Sequence, residues 1–178
     1  MADAATVKDR IAFLRGLRAV RQFRPEPLPR AVVDDLLAVA RWSGSASNRQ
    51  PWEVVVVRDH DTLGKLAAAE GHAAHLAGAV LAIVIVLAND RPEQEAYDDG
   101  RLSERLMLAA EAHGVGSCIG WFTGEGREAV KAMLGIPADR LVRTAISFGY
   151  PDEAAWRARP RNEQPRKSLG EIVHFERY

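Results

Sequence analysis

The sequence has 178 residues and one cysteine, Cys118, so an intrachain disulfide is excluded, which suits a reducing cytoplasm. It has no excess of charge. Lysine and arginine total 24, as do aspartate and glutamate, so no bulk basic field draws in nucleic acid or an anionic membrane. A small molecule or a second copy of the chain fits such a surface better. No apolar run reaches the roughly 20 residues that cross a bilayer; the longest, Leu76 to Ala88, has a β-branched centre that reads as a buried strand. The start, Met1-Ala2-Asp3-Ala4-Ala5, shows no basic region followed by an apolar one, so no secretory signal is read and a cytoplasmic location is expected.

Several site signatures are also missing. There is no Gly-Lys-Ser/Thr phosphate loop, and Ser45, Ser47 and Ser117 sit in no Gly-x-Ser-x-Gly elbow. Gly114-x-Gly116 follows a helix rather than a strand, which argues against a dinucleotide fingerprint. His72 and His75 stand three apart but lack an acidic residue at ligand spacing, which argues against a shared metal.

The chain length fits one domain, 1–178, with apolar content sufficient for an ordinary core. Apolar periodicity predicts helices over Val7 to Leu17 and Pro29 to Trp42, then a strand over Trp52 to Val57. Asp61 is the expected cap of a helix running to Glu70, with Gly71 at its exit. A strand over Val80 to Leu87 precedes a long helix that Asp98 or Asp99 begins and His113 ends. A strand through Ile119, a helix from Gly126 to Leu134 and a strand from Thr144 to Phe148 follow. Alternating strands and helices imply an α+β or α/β layer arrangement. The stretch 151–178 reads as an extended C-terminal arm, with Ser168 and Glu171 at capping-box spacing for a short terminal helix.

The most informative segment is Ser45-Ala46-Ser47-Asn48-Arg49-Gln50-Pro51-Trp52. Its small side chains let backbone approach a planar ligand, Asn48 and Gln50 supply donors and acceptors, and Pro51 fixes the exit into the strand. A polar helix-to-strand turn with a buried Trp explains it equally well on chemistry alone. One helix earlier stand Arg18-Ala19-Val20-Arg21-Gln22-Phe23 and a proline-rich link; later come Gly114-Val115-Gly116-Ser117-Cys118-Ile119-Gly120 and Arg166-Lys167-Ser168-Leu169.

These four motifs, in this order along nearly the whole chain, resemble the FMN-dependent nitroreductase family. The resemblance implies a three-layer α/β/α fold of the α+β class with a mixed central sheet, and a C-terminal arm exchanged in a homodimer. It implies FMN as cofactor and NADH or NADPH as donor. Hydride would pass to flavin N5 and then, in a ping-pong scheme, to a small organic acceptor of nitroaromatic or quinone type. The implied cofactor-binding residues are Arg18, Ala19, Val20, Arg21, Ile119, Gly120, Arg166 and Lys167 from one chain and Ser45, Ala46, Ser47, Asn48 and Gln50 from its partner. Arginine forks suit the phosphate, and the unbulky Ile119-Gly120 backbone suits the flavin edge. No side-chain acid or base is assigned. A non-catalytic FMN-binding or storage protein uses the same motifs.

The sequence departs from the family pattern at three places. Ala19 stands where many relatives have Ser, Ala46-Ser47 where many have Gly-Gly, and the link from Ala88 to Asp98 is too short for the insertion that covers the substrate in larger relatives. A compact member with an open pocket is expected. Two roles stay open: Cys118 as a thiol near the cofactor or a small buried hydrophobe, and Trp121-Phe122 as a stacking surface or an apolar wall.

Overall fold

The computed structural model describes residues 4–159 and 164–178. Its elements run α1 (Ala4–Gly16), α2 (Arg30–Arg41), β1 (Trp52–Val57), α3 (His60–Ala68), β2 (Leu81–Leu87), α4 (Pro92–Ala112), β3 (Gly116–Trp121), α5 (Gly124–Leu134), β4 (Leu141–Gly149) and α6 (Glu153–Ala158). Single 3-10 turns occupy Ala46–Asn48, Ala74–Gly78 and Leu169–Glu171.

The strands form one sheet in the order β1-β2-β4-β3, every neighbouring pair antiparallel. The parallel contribution to the expected mixed sheet is the single bridge between Ala19 and Ser117. Alternation along β2 divides the core into two layers. Leu81, Ile83 and Ile85 face Leu36 of α2 and Leu102 and Leu106 of α4. Ala82, Val84 and Val86 face Leu63 and Leu66 of α3, Phe122 and Val130 of α5. All of β2 is therefore buried, which explains its unbroken apolar sequence. The arrangement is α+β in three layers.

Several boundaries differ from those the sequence predicts. Helix α4 begins at Pro92, not at Asp98 or Asp99. Pro92 suits the first helical position, and the Glu95 carboxylate accepts from the amides of Asn89, Asp90 and Arg91 at 2.9, 3.1 and 3.1 Å. That carboxylate satisfies the amides entering the helix, which leaves Asp98 and Asp99 buried within it. Asp59 rather than Asp61 caps α3, accepting from the Thr62 amide at 2.8 Å.

The alanine-rich segment after α3 does not stay helical, because Gly71 bridges to Phe122. A Cβ on Gly71 would lie 2.2 Å from the Trp121 carbonyl oxygen, so only glycine permits this approach at φ +143°.

Helix α1 starts before the predicted span and ends at Gly16, one residue short of Leu17, and its stripe is uncovered: Val7, Ile11 and Leu14 are about half exposed. The arm carries α6, capped by Asp152, whose side chain accepts from the Ala155 amide at 3.0 Å. Its part at 160–163 lies outside the described residues. At the far end Glu171 accepts from the Ser168 amide and hydroxyl at 2.8 and 2.7 Å, as the capping-box spacing predicts, around one 3-10 turn.

Candidate functional site

Strand β3 is an edge strand, and two segments dock along its outer side. The Val20 amide donates to the Ser117 carbonyl at 2.8 Å, and the His72 amide donates to the Trp121 carbonyl at 2.7 Å. In an antiparallel edge strand, residues two apart turn their backbone groups the same way. Ile119, midway between Ser117 and Trp121, therefore points its N–H and C=O outward. Among the described residues no backbone group docks on it. A stretch of four residues, about 13 Å, thus frames one open amide.

The two arginines of the first motif diverge around this opening. Arg18 curls back over the C-terminus of α1, its Nη1 reaching the carbonyls of Arg15, Gly16 and Leu17 at 2.8, 3.1 and 2.8 Å. It lines a cleft of about 580 Å³ with Arg15, Ala19, Glu104, Met107 and Arg166. Guanidinium groups from the beginning and end of the chain thus line one cavity, together with the Glu104 carboxyl. Lys167 is exposed and is not among the lining residues. Arg21 instead stands beside Cys118 and His75, where its charge acts on both. Val20 is buried against Gly116.

Cys118 is 1% exposed, and burial pushes its thiol above the usual range, against the opposing pull of Arg21. A thiol held neutral is a poor nucleophile, so the small buried hydrophobe describes it. Phe122 is wholly buried and belongs to the core. Trp121 is 45% exposed and its ring lies 4.8 Å from that of His72. The stacking reading therefore survives for Trp121 alone.

The loop after α2 is held in an unusual shape. Ser47, Asn48 and Gln50 all have left-handed backbone, at φ 52°, 53° and 49°. Strain of about 1–3 kcal/mol at such positions persists only when surroundings impose it. Here Ser45 Oγ accepts from the Gln50 amide at 2.8 Å, Gln50 donates to the Asn48 carbonyl at 3.2 Å, and Arg49 pairs with Asp90. Ala46 is exposed beside them.

The fold separates this loop from the arginine motif. Trp52 pairs with Leu87, Leu87 with Leu141, and Thr144 with Trp121, which puts the loop at the sheet end opposite Ser117. It also lies at the β1 edge, three strand spacings from β3. The diagonal is roughly 27 Å or more. One chain does not bring Ser45–Gln50 to Arg18–Arg21.

Sequence reasoning missed Arg15, His75 and Ser147. Arg15 lies in the last turn of α1 and Arg18 just beyond its end, and the Arg18 side chain folds back onto the Arg15 carbonyl at 2.8 Å. Ser147 carries no signal in the sequence, since only strand pairing sets it opposite Cys118.

The chain is thus a three-layer α+β protein with an open amide on its β3 edge and a cleft lined by Arg15, Arg18 and Arg166. The chain belongs to the nitroreductase family, whose model matches residues 14–98 and 65–150. A putative NADH dehydrogenase/NAD(P)H nitroreductase of Archaeoglobus fulgidus is 32% identical over 143 residues, covering 76% of this chain and 82% of that protein. The structure of the FMN-dependent nitroreductase NfnB from Mycobacterium smegmatis, in complex with NADPH, aligns with TM-score 0.81 at 25% identity over 97% of this chain and 100% of that one. An FMN-dependent nitroreductase from Clostridium difficile R20291 shares the fold with TM-score 0.81 at 24% identity, over 94% of this chain and 99% of that one.

Proposed function

We propose that the protein is an FMN-dependent oxidoreductase that takes electrons from NADH or NADPH and passes them to a small organic acceptor of nitroaromatic or quinone type. The observation that carries this reading is the open Ile119 amide on the β3 edge, flanked by Arg21 on one side and Trp121 on the other. The residues fit the cofactor: a lone edge amide suits a ring heteroatom, and the Arg18–Arg166 cleft suits a phosphate. Bound FMN would supply the hydride chemistry. Arg18 and Arg166 hold the phosphate, Ala19 and Val20 bring their backbone along it, and Arg21 places positive charge near the ring. The Ile119-Gly120 backbone orients the ring edge, and Lys167 adds a solvated cation at the rim.

The same reading requires a second copy of the chain. Ser45, Ala46, Ser47, Asn48 and Gln50 lie diagonally across the sheet from the motif, so only a partner's loop reaches the ring. The uncovered apolar residues of α1 and of the tail, with Ile172 58% and Phe175 86% exposed, supply surface for a homodimer. Purification followed by an absorbance spectrum and a donor screen tests the function. Flavin bands that bleach with NADH or NADPH and recover with a quinone support it. A flavin that stays oxidised under excess donor indicates storage, and a protein without flavin affinity overturns the reading.

A further inference from the structure

A buried hydrogen-bond chain lies behind the open edge of β3. Cys118 and Gly120 share a strand face with Ser147, which pairs with Cys118, and that face looks toward the turn Ala74–Gly78. His75 comes from this turn. Its Nδ1 is 2.8 Å from Ser147 Oγ, which is itself 3.3 Å from the Cys118 carbonyl. Its Nε2 is sealed from solvent without a hydrogen-bond partner and faces Gly120, where a Cβ would lie 2.9 Å from it. The Ala73 Cα and the His72 carbonyl close the same space at 3.0 Å, so the ring lies against the strand because residue 120 is glycine.

We propose that His75 is a positioning residue, bracing the Cys118–Ile119 peptide through Ser147 and fixing the direction in which the Ile119 amide meets a bound flavin. The inference rests on the FMN reading. The Ser147 hydroxyl donates to the Cys118 carbonyl, so the Nδ1–H of the ring donates to Ser147 Oγ and Nε2 is left as an unpartnered acceptor against Gly120. A buried Nε2 does not touch ligand, so its influence passes through the backbone.

The neutral ring alone suits this setting, because charging it puts a proton on Nε2, which is sealed from solvent without an acceptor. Burial first, and then the charge of Arg21, hold the imidazole below its ordinary value. The titratable neighbours are Arg21 from the motif segment, Cys118 from β3, kept as a neutral thiol, and His72, whose ring is turned onto Trp121. As pH falls through the depressed value the brace fails, so FMN affinity falls with it.

The test is FMN titration of wild type, His75→Phe and His75→Gln from about pH 5 to pH 8, with the Ile119 amide followed by NMR in the FMN-free protein. Loss of one net hydrogen bond predicts about three- to tenfold weaker binding in His75→Phe and a displaced Ile119 resonance. The glutamine amide can donate to Ser147 without titrating, so His75→Gln should restore neutral-pH affinity while losing the acid-side fall. Affinities within twofold in all three proteins and an unmoved Ile119 amide overturn the proposal. If His75→Phe fails to fold, a His75→Gln profile that follows the wild-type fall overturns it. Absence of FMN binding by wild type would sink the functional reading instead, and the FMN-free Ile119 resonance would still decide the role of His75.

Discussion

The Val20 amide donates to the Ser117 carbonyl over 2.8 Å, and this bond sets the arginine motif against the edge of the sheet. The approach is close because Gly116 has no side chain: a Cβ there would lie 2.8 Å from both Cβ and Cγ1 of Val20. Gly116→Ala should therefore destabilise the fold by about 1–3 kcal/mol through overpacking. In a double-mutant cycle by denaturant melts, Val20→Ala should recover part of that loss. Strictly additive effects would show that the two residues do not compete for this space.

Arg18 and Arg166 should each matter to FMN retention. Removing one charge-assisted phosphate contact costs about 1.5–3 kcal/mol, or roughly tenfold or more in affinity. Arg18→Ala also strips donors from the end of α1, whereas Arg166 makes no such bond among the described residues. Arg166→Ala is thus the cleaner variant, and Arg21→Ala should weaken binding from the ring side. Identical FMN titration curves in all three variants would take these arginines out of the site.

Asp99 makes stability fall as pH rises. Burial raises its carboxyl above the ordinary carboxylate range, with opposing help to the charged form from Thr144, whose hydroxyl is 2.7 Å away. The folded chain keeps this proton at pH values where the unfolded chain has released it. The favourable contribution is complete below the unfolded value near 3.8 and is lost through the raised folded value. Asp99→Asn still accepts from Thr144 without ionising, so it should melt higher than wild type at neutral pH and lose that advantage in acid. Parallel melting curves at every pH would exclude this account.

A site built from two chains permits complementation. Arg21→Ala and an Asn48→Ala, Gln50→Ala double variant should each retain little FMN alone. Mixed by co-expression, they form heterodimers with one intact and one doubly damaged site, which should recover about a quarter of wild-type flavin under random pairing. Sedimentation of FMN-loaded wild type should show a dimer at low micromolar concentration. A flavin-saturated monomer, or no recovery on mixing, would contradict the shared site.

Strand β1 and the apolar strand β2 were legible because alternating or continuous burial writes itself into local sequence. The arginine motif and the Ser45–Gln50 loop were legible through the order of their motifs. The beginning of α4 was not, since Asp98 and Asp99 have the chemistry of a cap while Glu95 takes up the entering amides. Cys118 and Phe122 looked like candidates until burial assigned them to the interior.

Sequence by itself determined the residue types at the candidate site and the alternation of helices with strands, because side-chain chemistry and apolar spacing are local properties. Tertiary structure decided which groups meet. Strand order placed Ser45–Gln50 diagonally opposite Arg18–Arg21, docking of Val20 and His72 left the Ile119 amide open between them, and strand pairing set Ser147 where His75 reaches it. Those relations join residues tens of positions apart, and their energies depend on packed geometry that no local pattern encodes.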